Sequence, residues 1–113
     1  MIDSDAIAAL GRPGMPDLVA RLVGLFCDET PRLIQAIENG VKEADAEAVR
    51  IASHTLESSA AYVGAREFSK LCSRLERAAR DGNLVECTIL ADELEPCFQA
   101  TLAALDGAVP SAA

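Results

Sequence analysis

Apolar residues recur at intervals of three and four along most of this chain, and glycine-bearing breaks cut the pattern into segments too long for strands. Leu18, Leu22, Leu25 and Phe26 make one stripe, continued by Leu33, Ile34, Ile37 and Val41. Val49, Ala52, Leu56, Ala60 and Val63 make a second, and Phe68, Leu71, Cys72, Leu75 and Ala79 a third. A fourth runs through Leu84, Cys87, Leu90, Ala91, Leu94, Phe98, Thr101, Leu102 and Leu105. Residues spaced this way share one face of a helix, whereas a strand would alternate with period two. Between the stripes stand Asn39-Gly40, Gly64 and Asp81-Gly82-Asn83. Residues of these types end helices and make turns.

Such short connections make successive helices antiparallel neighbours. The fold class that follows is all-α, an up-down four-helix bundle. Half of the residues are hydrophobic, yet only 4% are aromatic and Trp is absent. Ala and Leu therefore set the spacing, which suits helices packed closely. Asp3 or Ser4 can cap a short helix through Leu10, and Gly11-Arg-Pro-Gly14 ends it. This short N-terminal helix would cap one end of the bundle. Residues 1–106 read as one domain, and 107–113 lack any pattern and read as a disordered tail.

Local signals refine the boundaries. Pro16 suits a first helical turn. Asp45 and Asn83 are expected N-caps, with Glu47 favourably placed in the first turn of its helix. The helix that follows Gly64 should run from about Ala65 to Arg80. Pro31 and Pro96 fall inside apolar stripes, so a kink or break is expected near Asp28 to Thr30, and a kink at Pro96 in the last helix.

Charge and cysteine usage narrow the function. The formal net charge of the 113 residues is -8, and the basic residues are scattered. Nucleic acid and anionic membrane surfaces are poor partners for such a chain. No apolar run is long enough to span a bilayer, and no signal-peptide pattern opens the sequence. Cys27, Cys72, Cys87 and Cys97 are far apart and form no Cys-x-x-Cys pair. They read as small apolar residues of a cytoplasmic protein, with neither structural disulfides nor a metal site expected.

His54 is the only histidine. At about 100° per residue it falls almost opposite Leu56, away from the stripe of Val49, Ala52, Ala60 and Val63. Its helical neighbours are Glu47, Arg50, Ile51, Glu57, Ser58 and Ala61. An imidazole exposed on a surface that another protein can approach is a candidate nucleophile. Ser53, Ser58 and Ser59 stand nearby, but no Gly-x-Ser-x-Gly elbow accompanies them, which argues against a hydrolase.

The segment from His54-Thr-Leu-Glu-Ser-Ser through Gly64-Ala65, with Phe68, Cys72 and Leu75-Glu76 beyond it, resembles the signature of histidine phosphotransfer (HPt) domains. The resemblance extends from about Asp5 to Leu105. It implies that His54 accepts a phosphoryl group from a receiver aspartyl phosphate and passes it to another receiver. It further implies a monomeric phosphoryl carrier without autokinase activity, in a cytoplasmic, bacterial two-component relay. The partners would be response-regulator receiver domains, with a hybrid sensor kinase upstream in the same or another chain. No cofactor would belong to this domain, since the receivers contribute the Mg²⁺.

This chain departs from the family pattern at two positions. Glu57 stands where the family usually has a lysine that neutralises the phosphoryl oxygens, and Ser58 where it usually has glycine. Arg50, Arg66 and Lys70 are candidates to supply the missing charge beside Glu57 and Ser58. Ile51, Ser58 and Ala61 form the expected receiver-docking patch. The alternative is a non-catalytic helical-bundle binding module of the same fold, and Glu57 is the feature that keeps it open.

Overall fold

The computed structural model describes residues 16–108, all in helices and the turns between them apart from an isolated bridge residue at Ala65. Five helices follow in order: α1 (Pro16–Lys42), α2 (Ala46–Tyr62), α3 (Arg66–Arg80), α4 (Leu84–Ala91) and α5 (Leu94–Ala108). The first three are bundle rods, and α4 and α5 together make the fourth. This is the expected all-α four-helix bundle. The expected N-terminal capping helix lies outside the described residues.

The predicted stripes are the core. Val49, Leu56 and Ala60 of α2, Phe68, Cys72 and Leu75 of α3, and Leu94 are fully buried. The chain's three phenylalanines meet at its centre, with the Phe26 ring 6.0 Å from Phe68 and 5.9 Å from Phe98. The edge-on geometry of both Phe26 contacts suits aromatic quadrupoles. One ring each from α1, α3 and α5 thus ties three rods together. The most extensive helix pairing is α2 with α3, which is the pairing that builds the site described below.

Caps fall where the side-chain chemistry placed them. Asp45 accepts from the Ala48 amide and Asn83 from the Glu86 amide, each at 3.1 Å. At the other ends, three turns share one pattern of back-bonds. Ala65 N–H reaches the Ala60 carbonyl at 2.8 Å, Asn83 reaches Ala78 at 2.9 Å, and Asp45 reaches Gly40 at 2.8 Å. This six-to-one closure needs a left-handed residue just before the donor. Gly64 and Gly82 supply it with φ of 77° and 71°, but the first turn uses Ala44 at 56°. Gly40 serves another purpose: a Cβ there would stand 2.9 Å from Val49 Cγ2, so its absence lets α1 approach α2.

Two expectations about proline need correction. Pro31 lies inside α1 without ending it, so of the kink or break expected near Asp28 to Thr30 the break does not occur. Pro31 is exposed while Thr30 and Ile34 are buried. Core packing on the opposite side holds the helix through the missing amide. The Thr30 hydroxyl also donates to the Phe26 carbonyl at 2.6 Å. In the fourth rod, the single kinked helix expected from Leu84 onward is instead two helices that part at Asp92–Glu93. A proline ring clashes with the carbonyl four residues back, which for Pro96 belongs to Asp92. The chain resolves the clash by restarting at Leu94, so Pro96 falls in a first turn, where its lacking N–H costs nothing. Finally, α5 continues through Gly107 and Ala108, which the sequence had assigned to the tail; residues 109–113 lie outside the described residues.

Candidate functional site

The side chain of His54 projects from the middle of α2 and is 63% exposed, opposite the buried Leu56. Its Nδ1 is nevertheless held from below. The Glu76 carboxylate, on α3, lies 3.2 Å away through Oε1 and 3.1 Å through Oε2. A carboxylate can only accept, so Nδ1 carries the proton. That leaves Nε2 with the ring's lone pair, on the edge turned away from Glu76. The arrangement fixes which nitrogen carries the proton and which the lone pair.

Glu76 is itself anchored. Its side chain is only 10% exposed, and Oε1 also accepts from Arg80 Nη2 at 2.9 Å, one turn along α3. Burial pushes its carboxyl up, but the hydrogen bond and charge of His54, then the neighbouring Glu57 carboxyl and the charge of Arg80, outweigh burial and hold it below the ordinary carboxylate value. Glu57 moves the other way. Partial burial, then the neighbouring Glu76 carboxylate, push it up against the weaker pull of His54 and Arg80. One ligand atom from each of His54, Glu57 and Glu76 lies within 4.8 Å of the others. Glu57 and Glu76 are thus two acids facing one another beside an imidazole.

The basic residues singled out in the sequence take different places. Arg50 stands one turn before His54, where Nε donates to Glu47 at 3.0 and 3.2 Å and Nη2 makes a further contact with the same carboxylate. The Glu76 charge contributes weakly, after Glu47, to holding the Arg50 guanidinium protonated. Lys70 pairs with Glu67 at 3.5 Å and lines a groove with Asp92, Pro96 and Cys97, on the α5 side of α3. Arg66 opens α3, ten residues before Glu76, which is about 15 Å of helix axis. The cation that the fold brings to the histidine's partner is Arg80.

Neither Glu76 nor Arg80 was assigned a role from the sequence, although a signal existed. Glu76 falls among Cys72, Leu75 and Ala79 on the apolar stripe of α3. A carboxylate on a core face needs a partner, and Arg80 at i+4 is one of two it finds.

The patch beside His54 is open. Ile51 is 54% exposed, and Ser58 and Ala61 are exposed with it. Ser58 continues into a groove between α1 and α2 lined by Leu22, Leu25, Phe26 and Tyr62. Leu25 and Tyr62 are more than half exposed there, at 52% and 58%. Periodicity had assigned Leu22 and Leu25 wholly to the core, because the stripe of α1 is wider than the surface α2 covers.

Residues 21–108 match the Hpt domain family. The chain is 31% identical over 96 residues to histidine-containing phosphotransfer protein 1 of Oryza sativa subsp. japonica. That match takes in 77% of this chain and 65% of the rice protein, so the chain spans less than two thirds of that relative's length. Its fold is similar to the crystal structure of histidine-containing phosphotransfer protein B from Pseudomonas aeruginosa PAO1. The TM-score is 0.86 at 21% identity, covering 94% of this chain and 91% of that one.

Proposed function

The chain belongs to the Hpt domain family, and on that premise we propose that it carries phosphoryl groups on His54 Nε2 between receiver domains of a phosphorelay. The observation that supports this reading is the Nδ1–Glu76 hydrogen bond, which leaves the outer nitrogen unprotonated and exposed.

Nε2 attacks the phosphorus of a receiver aspartyl phosphate. The P–N bond forms as the P–O bond to the aspartate breaks, and the carboxylate leaves with the electron pair. The ring becomes a phosphorylated imidazolium that keeps its Nδ1 proton, and the anionic Glu76 stabilises that positive charge. Reversal onto a second receiver needs no proton transfer, so one geometry serves both directions. Phosphoryl transfer depends mainly on positioning and electrostatics, and the receiver contributes the Mg²⁺.

A receiver reaches Nε2 across Ile51, Ser58 and Ala61 and spreads into the α1–α2 groove at Leu25 and Tyr62. Exposed apolar side chains around a polar centre are what such contacts use. Arg50 supplies positive charge near the phosphoryl group, and Glu57 opposes it. The source of phosphate upstream is a hybrid sensor kinase. The setting is the cytoplasm of a bacterium; the four cysteines are thiols rather than disulfides, which suits a reducing compartment.

The test is incubation with a phosphorylated receiver, wild type against His54→Gln. Acid-labile, alkali-stable phosphate is expected on the wild type alone, with the fold intact in both, because exposed substitutions usually cost within about 0.5 kcal/mol. Labelling retained in the variant would overturn the assignment. Receiver binding without labelling of the wild type would instead make this a docking module.

A further inference from the structure

We propose that His54, Glu57 and Glu76 form a binding site for a transition-metal dication of the Zn²⁺ class, and that its occupancy withdraws His54 from phosphoryl transfer. The second half rests on the function proposed above; the first does not.

The geometry comes close to what such an ion requires. Tetrahedral ligands at 2.0–2.1 Å from zinc stand about 3.3–3.4 Å apart. His54 Nδ1 and Glu76 Oε2 are already 3.1 Å apart. A Glu57 oxygen lies within 4.8 Å of a ligand atom on each of the other two residues, on a partly buried side chain that can close the remaining distance by rotating. Imidazole with two carboxylates suits Zn²⁺ and its neighbours in the first transition row, rather than Mg²⁺ or Ca²⁺. A fourth position stays open to water, because His54 faces solvent. Arg80 does not have to be displaced, since it binds Glu76 through Oε1 and leaves Oε2 to the metal.

The electrostatics favour a cation as well. Two carboxyls meet here at a partly desolvated site, and the ionised pair is relieved either by a shared proton or by a positive charge between them. Arg80 reaches Glu76 but makes no hydrogen bond or ion pair with Glu57. At the position of Glu57 the family signature carries a lysine, whose ammonium would exclude a metal. The exchange of that lysine for glutamate completes the ligand set in this chain.

The functional consequence follows from counting lone pairs. A neutral imidazole has one nitrogen with a free pair. While Nδ1 donates to Glu76, that nitrogen is Nε2, the nucleophile. When a metal takes the Nδ1 pair, the ring proton moves to Nε2 and the outward nitrogen can no longer attack phosphorus. The metal thus stabilises the unreactive tautomer, and its affinity sets the fraction of inert chains.

The experiment titrates ZnCl₂ into the whole protein and into Glu57→Gln, followed by calorimetry and by ¹⁵N shifts of the His54 ring, with circular dichroism confirming that both are folded. One Zn²⁺ per wild-type chain is expected, with Nδ1 metallated and Nε2 protonated, and affinity at least about tenfold weaker in the variant, since losing a direct ligand costs no less than losing the group that supports one. Absence of saturable 1:1 binding, equal affinity in the variant, or metal found on Nε2 would overturn the site. A parallel arm measures phosphoryl acceptance from a phosphorylated receiver with and without Zn²⁺. Slowing of the wild type but not of Glu57→Gln supports the coupling; equal slowing places the metal effect on the receiver and overturns it. A wild type that accepts no phosphate even in chelator counts against the carrier function, while the titration still decides the metal site.

Discussion

His54 and Glu76 lie 22 residues apart on neighbouring helices, yet Nδ1 sits 3.1 Å from the buried carboxylate. This contact sets the tautomer of the exposed ring and anchors its orientation from inside the bundle. Replacing Glu76 with glutamine keeps the shape but removes the obligatory acceptor. The amide N–H can then face Nδ1, which moves the ring proton to Nε2. Phosphoryl acceptance should fall about 10- to 100-fold, the range found when a partner orienting a reactive imidazole is lost. The ¹⁵N shifts of the ring should show the exchanged tautomer, which a merely structural role for Glu76 would not produce. An unchanged rate would remove Glu76 from the mechanism.

How far the site was legible depends on whether a residue's role is local. His54 on the face away from Leu56, and the open patch of Ile51, Ser58 and Ala61, follow from helical periodicity within α2 alone. The caps at Asp45 and Asn83 follow from side-chain chemistry over three residues. The Glu76 contact depends on the register between α2 and α3, which no local pattern reports. The same holds for Lys70, which faces the groove between α3 and α5 rather than His54. Proline was misjudged for a related reason. Whether Pro31 breaks a helix depends on whether its missing amide faces solvent or core, and where Pro96 breaks one depends on which carbonyl can be released.

Ala44 shows how a turn can keep its geometry with an unfavourable residue. It holds φ of 56° in a position that Gly64 and Gly82 fill in the equivalent turns. An alanine in that region carries a steric cost of about 1 kcal/mol. Ala44→Gly relieves it, against a smaller loss from the greater freedom of the unfolded chain. The urea midpoint should rise, with a net gain of about 0.5 kcal/mol and an unchanged m-value. A lower midpoint would mean that the alanine methyl makes contacts worth more than the strain.

Docking can be separated from chemistry at Ala61. Its side chain is exposed two turns beyond His54 and carries no polar contact to lose. Ala61→Arg puts a long charged side chain on the surface that a receiver must cover. Affinity for a receiver should drop at least about tenfold, as for loss of a well-placed interface contact worth 1.4 kcal/mol or more. The helical signal and the ¹⁵N shifts of His54 should not move. Unchanged affinity would shift the docking surface away from this part of α2.

Glu57 is one of the two positions at which this chain departs from the family pattern, and the geometry gives that exchange a direction. The carboxyl shares a 4.8 Å cluster with His54 and Glu76, and partial burial together with the Glu76 charge already pushes it toward its protonated form. A phosphoryl group on His54 would add nearly two negative charges to the same surface. Glu57→Lys reverses the sign beside it and gives the phosphoryl oxygens a donor. At an exposed site such a pair is worth about 1 kcal/mol, which is about a fivefold shift. The equilibrium between phosphorylated receiver and phosphorylated carrier should therefore move about fivefold toward the carrier at low ionic strength. The shift should shrink as salt rises, because exposed charges are screened within about 10 Å at 0.1 M. The measurement is the ratio of the two phosphoproteins at equilibrium, wild type against Glu57→Lys, across a salt series. A lysine drawn instead onto Glu76 would disturb the His54 tautomer and slow transfer in both directions without moving the ratio. An equilibrium that stays fixed at low salt would show that Glu57 faces away from the phosphoryl group.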